Sequence, residues 1–438
     1  MFNRTHRSRG WSRTLAAAAV VALAATACAD SAEQDTDDTT EQESTAAGEE
    51  DSGTDGDTSS EEGDESPAGE EAAVRGVTED TIRLGAILDL SGPYNAAGVL
   101  MRDGISAWVD KVNADGGIDG RQVEVIYEDN QSDPSATLAA ATKLISNDEV
   151  FALAGVHGAA AFGAILDLVG EERVPSFSLG LSEEMYNPMR DYVFVAAVPY
   201  AHQMARNVGF LDEEFGGPTM AVVYQDDEFG ESGLTGFDNA TEELGMEVVA
   251  RETFVRGADD LSAQARAVVD AGAEAVACVC IYTQSGLLRR ELGRLDAADV
   301  PVVAINPSIG APYFEIAGDS AGNFFAAEYY AHPGDPSFEP ANEAVQAAHG
   351  RDATTFDLFG LVNAAILLQA MQDAEELTPE GVVSALEAME GVEAPGLLPP
   401  VQFGPDSRVA SFEAAVYEAD PTSQSWDRVA DPAPGPGM

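Results

Sequence analysis

IRLGAILDLSGPYNAAGVLMRDGISAWVDKVNADGGIDGRQVEVIYEDNQSDPSATLAAATKLI, residues 82–145, decides the fold. An apolar strand runs into a Gly/Pro/Asn loop, and a helix follows with Ile105, Trp108, Val109 and Val112 on one face. A Gly116-Gly117-Ile118-Asp119-Gly120 turn leads to a second strand, and Asp133-Pro134 opens another helix. Such a unit makes the edge of a parallel sheet, with a loop at the carboxyl end of the strand, where open α/β folds place ligands.

The alternation continues beyond Ile145. Apolar runs at 150–155, 174–178, 192–199, 219–225, 246–254, 275–282 and 300–306 read as strands. Helical stretches lie between them, including 159–170, 200–214 and 286–295, and one helix carries Leu234, Phe237, Thr241 and Leu244 on a face. The strands are continuous apolar runs, as expected when helices cover both faces of a sheet. The pattern runs twice, over 82–198 and 219–326, so the chain has two similar halves. About 360 residues after the linker exceed one ordinary core, which also points to two lobes. After Tyr329 helices dominate, at 340–349, 355–374 and 379–389, and 407–419 alternates like an antiparallel hairpin or edge strand.

The amino-terminal segment carries no fold. Arg4, Arg7, Arg9 and Arg13 precede the apolar run 15–25, which is too short to span a bilayer with margin, so residues 1–28 read as an export signal. It ends Ala25-Thr26-Ala27-Cys28; small residues before a Cys resemble a bacterial lipoprotein cleavage box, with Cys28 the lipidated first residue. A plain secretory signal with an incidental Cys is the alternative. Residues 29–75 read as a disordered acidic linker, with 18 acids and no Lys or Arg over 29–74. Self-repulsion extends such a chain to about 40 Å or more. It reads as a leash to a membrane anchor or as an acidic interaction tail.

The net charge is −55. Apart from the linker and the leader's arginines, 59 acids face 18 bases, with only Lys111 and Lys143 as lysines. A nucleic-acid surface is excluded by that sign. Acid excess with little Lys suits a surface adapted to high salt, where self-repulsion is screened. Cys278 and Cys280, at i and i+2 of a strand, are expected to be buried free thiols.

No catalytic constellation, metal set or cofactor motif stands out. The five His are scattered, Gly180-Leu181-Ser182-Glu183 lacks the second Gly of a nucleophile elbow, and Gly155-Val156-His157-Gly158 lacks the Lys of a P-loop.

Residues 82–145 and IAGDSAGN (316–323) closely resemble the leucine/isoleucine/valine-binding family, the type I solute-binding proteins of ABC importers, and Asp226-Asp227-Glu228-Phe229-Gly230 resembles that family's acidic-aromatic-glycine loop more weakly. The likeness extends from Ile82 to about Tyr417. It implies an α/β fold of two Rossmann-like lobes, parallel sheets flanked by helices, joined by a three-crossing hinge near Pro199, Glu328 and Pro400. Lobe 1 would be 76–198 with about 329–399, lobe 2 would be 199–328 with about 400–430, and 431–438 a tail. Ligand would bind in the cleft, and closure is a hinge motion.

The resemblance and the strand ends together nominate ligand-binding residues. Ser91, Tyr94 and Asn95 form the first loop, with Tyr94 a wall bearing a polar tip. His157, Gly158 and Ala159 form the second, where N–H groups opening helix 159–170 face the ligand. Ala159 replaces the family's Ser; His157 either substitutes for it or is structural. Gly180 and Ser182 form the third; Ser182 matches a family Thr, or caps the Glu183-Glu184 turn. From the second half come Phe229, where Tyr is common, Tyr282 as a second wall at the end of its strand, and Asn306, where amino-acid binders have a Glu for the ligand ammonium. That lost charge-assisted bond is worth roughly 1.5–3 kcal/mol.

The expected protein is not an enzyme. It is an extracytoplasmic, monomeric solute-binding protein, anchored at Cys28 to the outer face of the cell membrane, passing a small polar solute to ABC permease subunits. A branched-chain amino acid is the simplest ligand by resemblance; the departures favour an amide, urea-like compound, carboxylate or aromatic acid. The other readings are a sensory receptor domain of the same fold and a nucleotide-dependent enzyme.

Overall fold

The computed structural model describes residues 73–438. The leader 1–28, Cys28 as anchor and nearly all of the linker expected over 29–75 lie outside the described residues.

The first sheet is parallel throughout. β1 (Thr81–Leu88) is followed by α1 (Asn95–Ala114), β2 (Gln122–Asp129), α2 (Pro134–Ser146) and β3 (Ala152–Val156). β1 and β3 are apolar and buried on both faces because helices cover both sides. Asp133 caps α2 by accepting from Ala136 N–H, with Pro134 in the first turn, as the Asp-Pro pair indicates. The helix expected over 159–170 is divided into α3 (Ala159–Gly163) and α4 (Leu166–Glu171). β4 (Ser176–Ser178) and β5 (Val193–Phe194) complete the strand order β2-β1-β3-β4-β5. The strand expected over 192–199 pairs only at its start; the remainder is the first crossing, leading to α5 (Tyr200–Phe215).

The second sheet repeats the pattern with β6 (Met220–Gln225), α6 (Glu228–Leu244), β7 (Val248–Phe254), α7 (Ser262–Asp270), β8 (Ala275–Val279), α8 (Tyr282–Arg294), β9 (Val302–Ala304), α9 (Ala311–Ala317) and β10 (Phe324–Glu328). The chain then returns to cover the first sheet with α10 (Phe338–His349), α11 (Thr355–Asp373) and α12 (Pro379–Glu387). α11 begins with a reciprocal Thr354/Asp357 capping box and lies buried against α1.

The last quarter departs from expectation. β11 (Glu390–Val392) and β12 (Val401–Gln402) form a small antiparallel ribbon. Val409 pairs beside Val195, whose N–H donates to Arg408 O, so the segment around Pro400 stays with the first sheet. The third crossing therefore lies between Ala410 and Ala414, not near Pro400. β13 (Ala414–Asp420) is an interior strand, and β14 (Ser425–Ala433) forms the edge, giving the order β14-β13-β10-β9-β8-β6-β7. The presumed tail is part of this lobe. Gly435 packs on Ala205 and Gly437 on the Asn239 carbonyl.

The cysteine expectation is also corrected. Cys278 and Cys280 are buried but joined in a disulfide. A regular strand would hold residues i and i+2 about 6.6 Å apart. β8 ends at Val279, and the turning chain brings the two Cα atoms to 5.4 Å, inside the bridging range.

Candidate ligand-binding cavity between the lobes

Each sheet reverses its strand order once. β1 lies between β2 and β3, and β6 lies between β7 and β8. Loops leaving such a strand and its neighbour part to opposite sides and open a crevice. A cavity of about 230 Å³ is lined from both crevices. Pro93 and Tyr94 follow β1; His157 and Gly158 follow β3; Phe229 follows β6; Ile281, Thr283 and Gln284 follow β8. Its volume is below the about 300–1,000 Å³ of pockets for drug-sized ligands, so a small molecule fits it.

Tyr94 is the inner wall. Its ring stacks on His157 at 4.8 Å and on Tyr282 at 5.7 Å, and meets Phe356 edge-on at 6.0 Å. Burial drives the Tyr94 hydroxyl well above its ordinary range, with Tyr282, Tyr200 and Tyr330 adding to it, so the group stays a neutral donor. Burial pushes the His157 ring down to about 4, which makes it neutral at neutral pH. Asp89, fully buried beneath the loop, accepts from Gly92 N–H, Tyr94 N–H and Ser132 Oγ, and so holds the turn that presents Tyr94.

Of the residues nominated from sequence, Tyr94, His157, Gly158, Ala159 and Phe229 line the cavity. Gly158 adopts φ +101°, a region open to glycine. Phe229 is fixed edge-on against Tyr200 at 5.0 Å. The other six stand elsewhere. Ser91 is exposed and donates to Asp129, and Asn95 is exposed at the start of α1. Gly180 is needed for space: a Cβ there would strike the Ala159 backbone. Ser182 makes no capping bond; its hydroxyl reaches Glu228 O at 3.4 Å. Tyr282 opens α8 instead of ending β8, and backs Tyr94 from outside the lining. Asn306 is fully buried, its N–H on Gln203 Oε1 and its Nδ2 on Glu328 Oε1 at 2.6 Å. It belongs to the hinge, where Glu328 also accepts from Tyr329 and Tyr330 N–H. The α3 helix is too short to serve as an anion site, and its start contributes a wall only.

Sequence reasoning missed Arg256, Gln284, Gln225 and Ser132 in the lining. Arg256 follows β7, Ser132 follows β2, and Gln284 lies in the first turn of α8. Applying the strand-end rule to every parallel strand, instead of the most motif-like ones, would have found the first two.

A parallel sheet, a second sheet that is parallel except for the antiparallel strands β13 and β14, three crossings and one cavity at both strand-order reversals define a two-lobed solute-binding fold. The chain belongs to the periplasmic binding protein family, whose profile matches residues 81–424. It is similar to the leucine-, isoleucine-, valine-, threonine- and alanine-binding protein of Pseudomonas aeruginosa, at 25% identity over 344 residues, 77% of this chain and 90% of that protein. Among solved structures it is similar to a fatty acid ABC transporter substrate-binding protein from Thermomonospora curvata (22% identity, TM-score 0.74, 82% of this chain and 94% of that one). A branched-chain amino acid ABC transporter protein from Thermus thermophilus with bound valine is similar too (19% identity, TM-score 0.73, 81% and 96%). The type I two-lobed fold and the family resemblance read from the sequence are both borne out.

Proposed function

We propose that this chain captures a small organic solute between its lobes and delivers it to the membrane subunits of an ABC importer. One observation carries the reading: the cavity is lined by strand ends of both lobes, so a solute held there joins them. Arg256 Nη1 on Ser132 O, at 2.9 Å, already spans the same cleft. Binding energy from both walls then favours the closed arrangement, the differential affinity that hinge closure requires. Relatives are named for binding or for ABC transport, which supports a carrier and not an enzyme.

The location follows from the family, which is extracytoplasmic, and from the leader. Cys28 as lipid anchor, residues 29–75 as tether and a monomeric working state complete the proposal. A Cys28→Ser variant should be released from cells that retain the parent protein. Solute binding should lower the radius of gyration in solution scattering, and loss of the gene should abolish uptake of that solute. Unchanged scattering at saturating solute would refute closure.

A further inference from the structure

The chemistry of the cavity narrows the solute, given that the solute-binding reading holds. Among the described residues, fourteen buried side-chain nitrogen or oxygen atoms have no hydrogen-bonding partner within the protein, and three of them meet here: Tyr94 Oη, His157 Nδ1 and Gln284 Oε1. All three belong to residues lining the cavity, and Tyr94 and Gln284 are 5% and 2% exposed. An unmatched buried polar group is costly, so such atoms in a cavity mark where a bound molecule supplies partners.

Their roles can be assigned. The Tyr94 hydroxyl is a donor facing an acceptor. Gln284 Nε2 donates to Ala258 O at 2.8 Å, which leaves Oε1 as an acceptor for a donor on the solute. The neutral His157 ring offers Nδ1 as donor or acceptor, according to its tautomer.

Charge decides the rest. Among the described residues lining the cavity, none is Asp or Glu, and Arg256 is the sole Lys or Arg. Three of its five N–H groups are engaged: Nε and Nη2 on Asp227 Oδ2, and Nη1 on Ser132 O. One hydrogen on each terminal nitrogen stays available. Asp227 lies outside the lining, held by Arg256 and Gln225. Asp89 is enclosed by its three donors. A ligand ammonium here would find no carboxylate and would share the cavity with a cation.

We propose that the solute is a carboxylate without an amino group, a hydroxy acid with an apolar body, whose carboxylate takes the free N–H groups of Arg256 and the Tyr94 hydroxyl and whose hydroxyl donates to Gln284 Oε1. Arg256 is then the residue that sets specificity against zwitterions. Ala159, Leu179, Phe229 and Pro307 supply the apolar wall.

The test is titration calorimetry on the full chain, freed of co-purified solute, with matched pairs: leucine against 2-hydroxy-4-methylpentanoate, and phenylalanine against 3-phenyllactate. At least one hydroxy acid should bind tenfold or more tighter than its amino acid. Arg256→Gln should weaken it tenfold or more while keeping the parent's melting temperature, and Arg256→Lys should restore part of the loss. An amino acid binding as tightly as its hydroxy acid, an unaltered affinity in Arg256→Gln, or binding of none of the four overturns the inference. The broader reading fails separately, if solution scattering shows no lobe closure with any solute, including whatever molecule co-purifies and is identified by mass spectrometry.

Discussion

Arg256 in the second lobe donates from Nη1 to the main-chain oxygen of Ser132 in the first, 2.9 Å across the cleft. Asp227 aims that guanidinium through Nε at 3.1 Å, and its other oxygen accepts from Gly230 N–H at the start of α6. Asp227→Ala should therefore lose a helix cap, about 1 kcal/mol, as well as the aim of Arg256. The melting midpoint should fall by roughly 1–2 °C for a chain this long. Asp227→Asn, which keeps the capping oxygen, should recover most of it. Scanning calorimetry of both variants checks the contrast; equal losses would show that the cap is not the source.

His157 gives a pH signature. Burial holds its ring at about 4, against about 6.5 in the unfolded chain. Between those values the unfolded state binds a proton that the folded state refuses. The stability is fully present above pH 6.5 and is lost as pH falls towards 4. His202, also pushed down to about 4 by burial, adds in the same direction. His157→Asn should lose less stability than the parent between pH 6.5 and 5, measured by urea unfolding. Parallel profiles would contradict the assignment.

Two glycines let α1 and α11 touch. A Cβ on Gly104 would meet Asp357 O, and one on Gly360 would meet Met101 O. Gly104→Ala and Gly360→Ala should each destabilise by about 1–3 kcal/mol through overpacking. Gly170 in α4 faces open space without positive φ. Gly170→Ala should instead stabilise by about 0.5–1 kcal/mol. Denaturant midpoints for the three variants read out both signs.

The acidic composition predicts a salt response. Acids outnumber bases by 77 to 22 over the whole chain. The Debye length shrinks from about 10 Å at 0.1 M salt to about 3 Å at 1 M, which screens the repulsion between like charges. The melting midpoint should rise from 0.1 to 2 M potassium chloride. A fall would show that ion pairs such as Lys143 with Glu128 and Asp148 outweigh the repulsion.

The succession of strands along the chain was legible because the interior parallel strands, such as β1 and β3, are continuous apolar runs followed by a polar loop, as at Leu88 and Val156. Tyr94, His157 and Phe229 could be found because they follow such runs directly. Asn306 and Ser182 occupy equally suggestive positions, yet their side chains turn into the hinge and the lobe contact; that direction is set by packing against Glu328 and Glu228. Arg256 lies in VRGADD, which has no apolar period, and it reaches the cavity only because β7 pairs beside β6. The strands β11, β12 and β14 were missed because the first two are only three and two residues long and β14, SWDRVADPA, has no apolar run. The Cys278–Cys280 bond depended on where β8 ends, a boundary that the apolar run 275–282 conceals.

The central claim is that the solute sits between Tyr94 of one lobe and Gln284 of the other. A crystal structure of the protein with the solute it carries from its own cells tests that most directly. The expected result is a single small molecule in the 230 Å³ cavity, with polar atoms within hydrogen-bonding distance of Tyr94 Oη and Gln284 Oε1. A solute bound elsewhere, as in the groove beside Trp108, or one in the cavity that leaves both atoms unpartnered, would contradict it.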